Sequence, residues 1–328
     1  MKTERPRHAR DRSALDICEE SFNLLRAAPW RVLACYAAGT VPFLLGLMYF
    51  WADMSRSAFA ARHLAPGSLG LAILFVWMKC WQAVFAAELR AFAVRAAPPA
   101  WTVFRVIRLV GAQASIQPYG LVLIPLAALA VFPFYAVYSF FQNVTALGAG
   151  EGDRVRELLR RSWRHGLLWP LQNHILIWLL SPWLLSFGMM MAVGAMWIAQ
   201  AVAPDLPAVY GAAAFWLASV VLYYLILPLA PFGAVVAGNI AAVLLILPAL
   251  LSALTGSENV FTLSGAGGFM NTTFLMTVFS LSYLFLDPLA KTAYILRCLY
   301  GDSLQTGEDL RGELRQIQAA RRAAEENG

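Results

Sequence analysis

Charge is what this chain has least of. Between Gly166 and Leu286 it carries only two formally charged side chains, Asp205 and Glu258. Charged residues make up 13% of the 328-residue sequence and hydrophobic ones 60%, against roughly 25% charged in an ordinary soluble domain. A soluble core that buried so much Leu, Phe and Trp would leave no polar face for water, so an ordinary globular fold is excluded. Roughly 20 apolar residues suffice for one membrane crossing. Leu206 to Ser257, with no charge at all, belongs to a region long enough for several.

Cysteine is also scarce. Cys18, Cys35, Cys80 and Cys298 lie far apart without C-x-x-C spacing, which excludes a disulfide framework and a zinc site. Catalytic signatures are missing. There is no H-E-x-x-H, no G-x-S-x-G and no phosphate-binding loop, and Gly265 to Gly268 is not followed by Lys. The expectation is a protein that is not an enzyme, with no cofactor and no metal. The net charge of +6 has no basic–aromatic reading platform around it, so no nucleic-acid partner is expected. Basic Met1 to Arg12 leads into an amphipathic segment with Asp16, Glu19 and Glu20, not into an unbroken apolar core. The first span is therefore expected to act as an uncleaved insertion signal.

What is present is an all-α pattern, a polytopic transmembrane bundle of six to eight spans. Apolar runs bounded by charge or by Pro and Gly cover Val32–Trp51, Leu69–Ala87, Ile175–Ala201, Ala208–Leu227, Phe232–Leu254 and Phe269–Leu286. Trp101 to Gln142 is apolar too, but broken by Pro118, Pro125 and Pro133. Nearly all basic residues fall in four clusters, Lys2–Arg31, Arg90–Arg108, Arg154–Arg164 and Lys291–Arg322. If all four face the cytoplasm of a bacterial inner membrane, both termini are cytoplasmic, and Asp205, Glu258 and the Ala52–Ser68 loop lie outside. Residues 101–149 must then cross twice or enter and return, and Gln117-Pro118-Tyr119-Gly120 is the natural turn. The domain reading is a transmembrane domain over 1–303 and a cytoplasmic tail over 304–328. Repeated L-L-R (Leu24–Arg26, Leu158–Arg160) and P-F-L-L with P-W-L-L (Pro42–Leu45, Pro182–Leu185) are compatible with parallel halves 13–149 and 150–303, although residues this common also match by chance.

Several features are candidates for function. Ala14–Ala28 reads as an interfacial helix with a Ser13/Asp16 capping box, its apolar face formed by Leu15, Cys18, Phe22 and Leu25. A second, Asp153–His165, carries Arg154, Arg156, Arg160, Arg161 and Arg164, suited to anionic lipid headgroups of the bilayer or to a partner. Lys79 is the outlier within the spans, where a cation costs about 2.5–3.5 kcal/mol. Gln82 is one turn away and Asn239 is placed at a similar depth. These three form the candidate binding site, against a structural alternative in which Lys79 pairs with helix carbonyls or with Asn239. Gln142-Asn143, Gln172-Asn173-His174 and Asn271 read as interhelical hydrogen-bonding groups. Asp287-Pro288 reads as a helix break and a charge pair with Lys291 or the Arg-rich helix. Broken helices at Pro118, Pro125, Pro133, Pro228 and Pro231 also fit a transporter. The polar helix Thr306–Asn327 is a candidate docking site for a cytoplasmic or membrane partner.

E-L-L-R-R-S-W-R-H at Glu157 to His165, F-F-Q-N-V-T at Phe140 to Thr145 and D-P-L-A-K at Asp287 to Lys291 resemble segments of bacterial multi-pass membrane families. Among these is the membrane domain found beside some glycerophosphodiester phosphodiesterases. The resemblance implies a helical inner-membrane domain of unknown activity. The soluble phosphodiesterase domain has no counterpart here, so no catalytic residue carries over. The functional expectation is a structural or accessory component of an envelope assembly. The alternative is a transporter or lipid-handling protein with a site near Lys79.

Overall fold

The computed structural model describes residues 12–130, 134–150, 155–180, 232–255 and 272–306, with Leu314 and Gln318. Among these residues there are nine α-helices and no strand. They are α1 (Ala14–Ala27), α2 (Trp30–Arg56), α3 (Ala60–Ala93), α4 (Val103–Ala130), α5 (Phe134–Leu147), α6 (Val155–Leu167), α7 (Pro170–Leu180), α8 (Phe232–Thr255) and α9 (Thr272–Thr306). Four of them, α2, α3, α4 and α9, are long and apolar enough to cross a membrane. Large apolar side chains such as Val103, Phe104 and Leu121 point outward from them, as a lipid solvent requires. Asp205, Glu258, Arg154, Asn271, Pro133, Pro228, Pro231, the span Ala208–Leu227, most of Ile175–Ala201 and most of the C-terminal polar helix lie outside the described residues.

The chain forms two compact units, Met1–Leu176 with Asp287–Gly328, and Ile177–Leu286. The second contains the end of α7, all of α8 and the first half of α9, in which Ser282 and Thr277 return their hydroxyls to carbonyls one turn back.

α1 begins as its sequence dictates. Ser13 Oγ accepts from Asp16 N at 3.1 Å, and Asp16 Oδ2 accepts from Ser13 N at 2.9 Å, a reciprocal cap. The face it buries is Ala14, Ile17 and Ser21, whereas Leu15 and Phe22 of the expected apolar face are 64% and 57% exposed. An interfacial helix turns such a face to lipid, leaving its small residues to the protein. Burial pushes the Cys18 thiol up to about 11, so it stays protonated and unreactive at neutral pH.

Two sequence expectations are corrected here. The Ala52–Ser68 loop is mostly helix: α2 runs to Arg56 and α3 starts at Ala60, with Ser57 N donating to Asp53 O at 2.9 Å and His63 Nδ1 3.1 Å from Asp53 Oδ2. Ala60, Ala61, Leu64 and Ala65 are good helix formers, and they outweigh Pro66 and Gly67. The second correction is the turn at Gln117–Gly120, because α4 continues through Pro118 and Pro125. Membrane helices tolerate proline when neighbours re-satisfy or hold the backbone. Here Gln117 Nε2 reaches across to Phe141 O at 3.2 Å and Thr145 Oγ1 at 3.1 Å on α5.

α4 and α5 run antiparallel. Gln113 Nε2 meets Val144 O at 3.4 Å, Arg105 Nε meets Ala149 O at 3.2 Å, and Arg108 Nη2 meets Gly150 O at 2.7 Å. The start of α4 and the end of α5 therefore share one end of the unit. α5 has 14 residues, about 21 Å of axis, which is short of a full crossing.

α2 and α3 cross closely at Gly39. A Cβ there would collide with Trp81 Cβ and lie 3.2 Å from the Met78 carbonyl oxygen. Small residues at such crossings let membrane helices pack backbone to backbone. Gly39→Leu should destabilise the solubilised protein by about 1–3 kcal/mol. Gly70→Leu, with nothing within 4 Å of the new Cβ, should leave its thermal midpoint unchanged. Equal midpoints for both variants would refute the close crossing.

Candidate functional site

The second half of α9 is buried on every side. From Leu289 to Ser303 no residue reaches the surface appreciably, yet the segment includes Lys291, Thr292, Tyr294, Arg297, Cys298 and Asp302. A helix buried all round is normally apolar. Polar groups in such a place cost several kcal/mol unless each finds a partner. They find partners on five neighbouring elements, in two clusters about 22 Å apart along the helix.

The first cluster forms around Asp287 and Lys291, one turn apart on α9. Their charges lie 3.7 Å from each other, with Lys291 2% exposed. Asp287 Oδ2 also accepts from Tyr36 Oη of α2 and from Gln82 Nε2 of α3, each at 3.0 Å. Lys291 Nζ donates to Gln142 Oε1 of α5 at 2.6 Å. The expected Asp287–Lys291 charge pair is thus present, and Gln142 bridges helices as its type suggests. The helix break expected at Asp287-Pro288 is not: α9 runs through Pro288 from Thr272 to Thr306, and the Pro288 carbonyl still accepts from Thr292 Oγ1 at 2.7 Å. Gln82, with Thr40 Oγ1 at 3.4 Å, is fully buried.

Lys79 lies beside this cluster and outside its hydrogen bonds. Its Nζ stands 5.4 Å from the centre of the Phe75 ring, one turn back on α3. The charges of Lys291 and Asp287 are close enough to act on it. Among the described residues it has no hydrogen bond and no ion pair. Asp287 pairs with Lys291 and not with Lys79. Asn239 is on α8 in the other unit, where its amide donates to Val235 O at 2.8 Å within its own helix.

The second cluster surrounds Asp302. Oδ2 accepts from Arg90 Nη2 of α3 at 3.0 Å and Arg161 Nη2 of α6 at 3.3 Å, and Oδ1 faces His165 Nε2 of α6 at 3.0 Å. A carboxylate only accepts, so Nε2 carries the imidazole proton. Gly301 leaves room for the ring, since a Cβ there would strike His165 Nδ1. Nearby, Tyr300 and Arg12 both engage Glu20 of α1, and Arg12 lies over the Tyr300 ring. Among the described arginines of the Arg-rich helix, Arg156, Arg160 and Arg164 are exposed and Arg161 turns inward. Members of all four basic clusters, Arg12, Arg90, Arg161 and Arg297, therefore gather around one end of α9.

Between the clusters the contacts continue. Tyr294 Oη donates to Asn173 Oδ1 at 2.6 Å, Cys298 Sγ to Asn143 Oδ1 at 3.3 Å, and Arg297 Nη2 to Leu168 O at 2.6 Å. Asn143 and Asn173 act as the interhelical groups their sequence context predicts. Asp302, Arg90, His165 and Tyr36 are absent from the sequence-based candidates. The signal for them is a polar stripe at helical spacing, Asp287, Lys291, Tyr294, Cys298 and Asp302, on one face of an otherwise apolar helix. Among the described residues no group of three His, Cys, Asp or Glu could hold a metal.

The chain matches no protein-family model, no curated protein and no solved structure. Its function has to be argued from the geometry.

Proposed function

We propose that the protein is a non-enzymatic, multi-pass component of a bacterial inner membrane, structural or accessory to an envelope assembly. One observation carries this reading. The ionisable groups on the buried face of α9 pair with groups on α2, α3, α5 and α6. Charge used in this way fixes which helices sit together, a register role that buried ion pairs serve in some proteins. The exposed arginines Arg156, Arg160 and Arg164 suit an anionic headgroup layer, and the polar C-terminal segment suits a protein partner. Purification in a mild detergent tests the proposal: a partner should co-purify in fixed stoichiometry, and a chain recovered alone from several detergents would refute it.

A second reading, transport or lipid handling near Lys79, is favoured by the position of that side chain near the Asp287–Lys291 pair without an ion-pair partner among the described residues. An intramembrane ionisable residue is a functional candidate by default. If Lys79 only packs, Lys79→Met should be neutral or stabilising, because a thioether fills a similar volume without desolvating a charge. If Lys79 binds an anion, the same variant should fold and lose function, with partial rescue by Lys79→Arg. Thermal stability and complementation, measured on the same variants, separate the two. A stable and fully active Lys79→Met ends the binding-site reading.

A further inference from the structure

Away from the α9 clusters, two adjoining cavities of the first unit share Arg31, Glu88 and Pro98 in their walls. One, about 660 Å³, is also lined by Arg95 and by the ends of α1 and α3. The other, about 1030 Å³, is walled by Cys35 of α2, Ile73, Trp77 and Trp81 of α3, and Val106 and Val110 of α4, and opens at the surface. From Glu88 to Ile73 this groove follows α3 for about 22 Å, longer than one leaflet of a hydrocarbon core that is about 30 Å thick.

The polar end is built from charge of both signs. Arg31 occupies the first turn of α2, where the helix dipole adds positive potential. Arg95 is held with φ 51, a left-handed conformation that non-glycine residues rarely adopt. Neither guanidinium makes a hydrogen bond or ion pair among the described residues. Glu88 is oriented by Trp101, whose Nε1 donates to Oε1 at 3.1 Å. Two free cations and a fixed carboxylate at one end of an apolar surface groove match a headgroup with a phosphate and an ammonium.

We infer that this groove binds an aminophospholipid, phosphate on Arg31 and Arg95, ammonium on Glu88, and one acyl chain along Trp81, Trp77 and Ile73. A purely anionic headgroup would meet Glu88 unfavourably. A choline headgroup would offer the carboxylate no hydrogen-bond donor. The site shares no residue with the Lys79 region and does not depend on the accessory role.

Native mass spectrometry of the full chain, with dioleoyl phosphatidylethanolamine, phosphatidylglycerol or phosphatidylcholine added in equal amounts, tests the inference. Retention of phosphatidylethanolamine should exceed that of the other two by about tenfold, as one good charged contact allows. Arg31→Gln should reduce it about tenfold. Glu88→Gln should erase the preference over phosphatidylglycerol while leaving lipid bound. Val76→Trp, which narrows the groove beyond the headgroup, should abolish retention of all three with the thermal midpoint preserved. If Arg31→Gln does not fold, Val76→Trp decides alone. Equal retention of the three lipids, unchanged retention in Val76→Trp, or a dimer of the chain in place of bound lipid would each overturn the assignment. Displacement of the lipid by phosphoethanolamine as effectively as by the intact lipid would overturn it too.

Discussion

Replacing Asp287 with Ala should be the most damaging single change in the first unit, at about 3–5 kcal/mol of stability. The loss exceeds that of one ion pair. Lys291 is 2% exposed and would be left with only Gln142 Oε1 as a partner. Tyr36 and Gln82, both buried, would each lose an acceptor. Lys291→Met alone should cost less, because Asp287 retains two donors. The double variant Asp287→Ala/Lys291→Met should be more stable than Asp287→Ala, since removing both charges removes the orphan. Thermal unfolding of the solubilised variants measures all three. A double variant at least as unstable as Asp287→Ala would mean that the charges do not act as a pair.

What the sequence made legible is mostly local. The α1 cap depends on two residues three apart, and the expected Asp287–Lys291 pair on two residues one turn apart, so neither needs the fold to be known. The four long apolar helices each hold an 18-residue stretch of high mean hydropathy with at most two charges. The turn at Gln117–Gly120 was misread because Q-P-Y-G means a turn in water, whereas inside a bilayer the same residues stay helical when a neighbouring helix takes up their polar groups. Much of the Ala52–Ser68 loop was lost to helix for a related reason, since alanines there continue both helices to a turn of three residues.

The end cluster was hidden for a different reason. Asp302 meets Arg90, Arg161 and His165 across sequence separations of 212, 141 and 137 residues. Read along the chain, Arg90 and Arg161 count only as topogenic charges, and the positive-inside pattern explains them without any partner. Lys79 was visible as an isolated cation, but its closeness to the Asp287–Lys291 pair was not. α3 must be packed against α9 before that relation exists.

Asp302→Ala should have the second largest effect, about 2–3 kcal/mol. This lies below the limit for fully buried pairs because Arg90 and Arg161 are 22% and 26% exposed and retain some water. Asp302→Asn should cost roughly half as much, since the amide oxygen still accepts from one donor while the charge is gone. The two variants should also respond differently to salt. Adding NaCl weakens the attraction between Asp302 and its partly exposed arginines, so the wild-type midpoint should fall. In Asp302→Asn the remaining electrostatic effect is repulsion between Arg90 and Arg161, which salt screens, so its midpoint should rise or hold. Converging midpoints with increasing salt would support Asp302 as the counter-charge that holds α3 and α6 to α9. Parallel salt responses would mean that the aspartate contributes through packing alone.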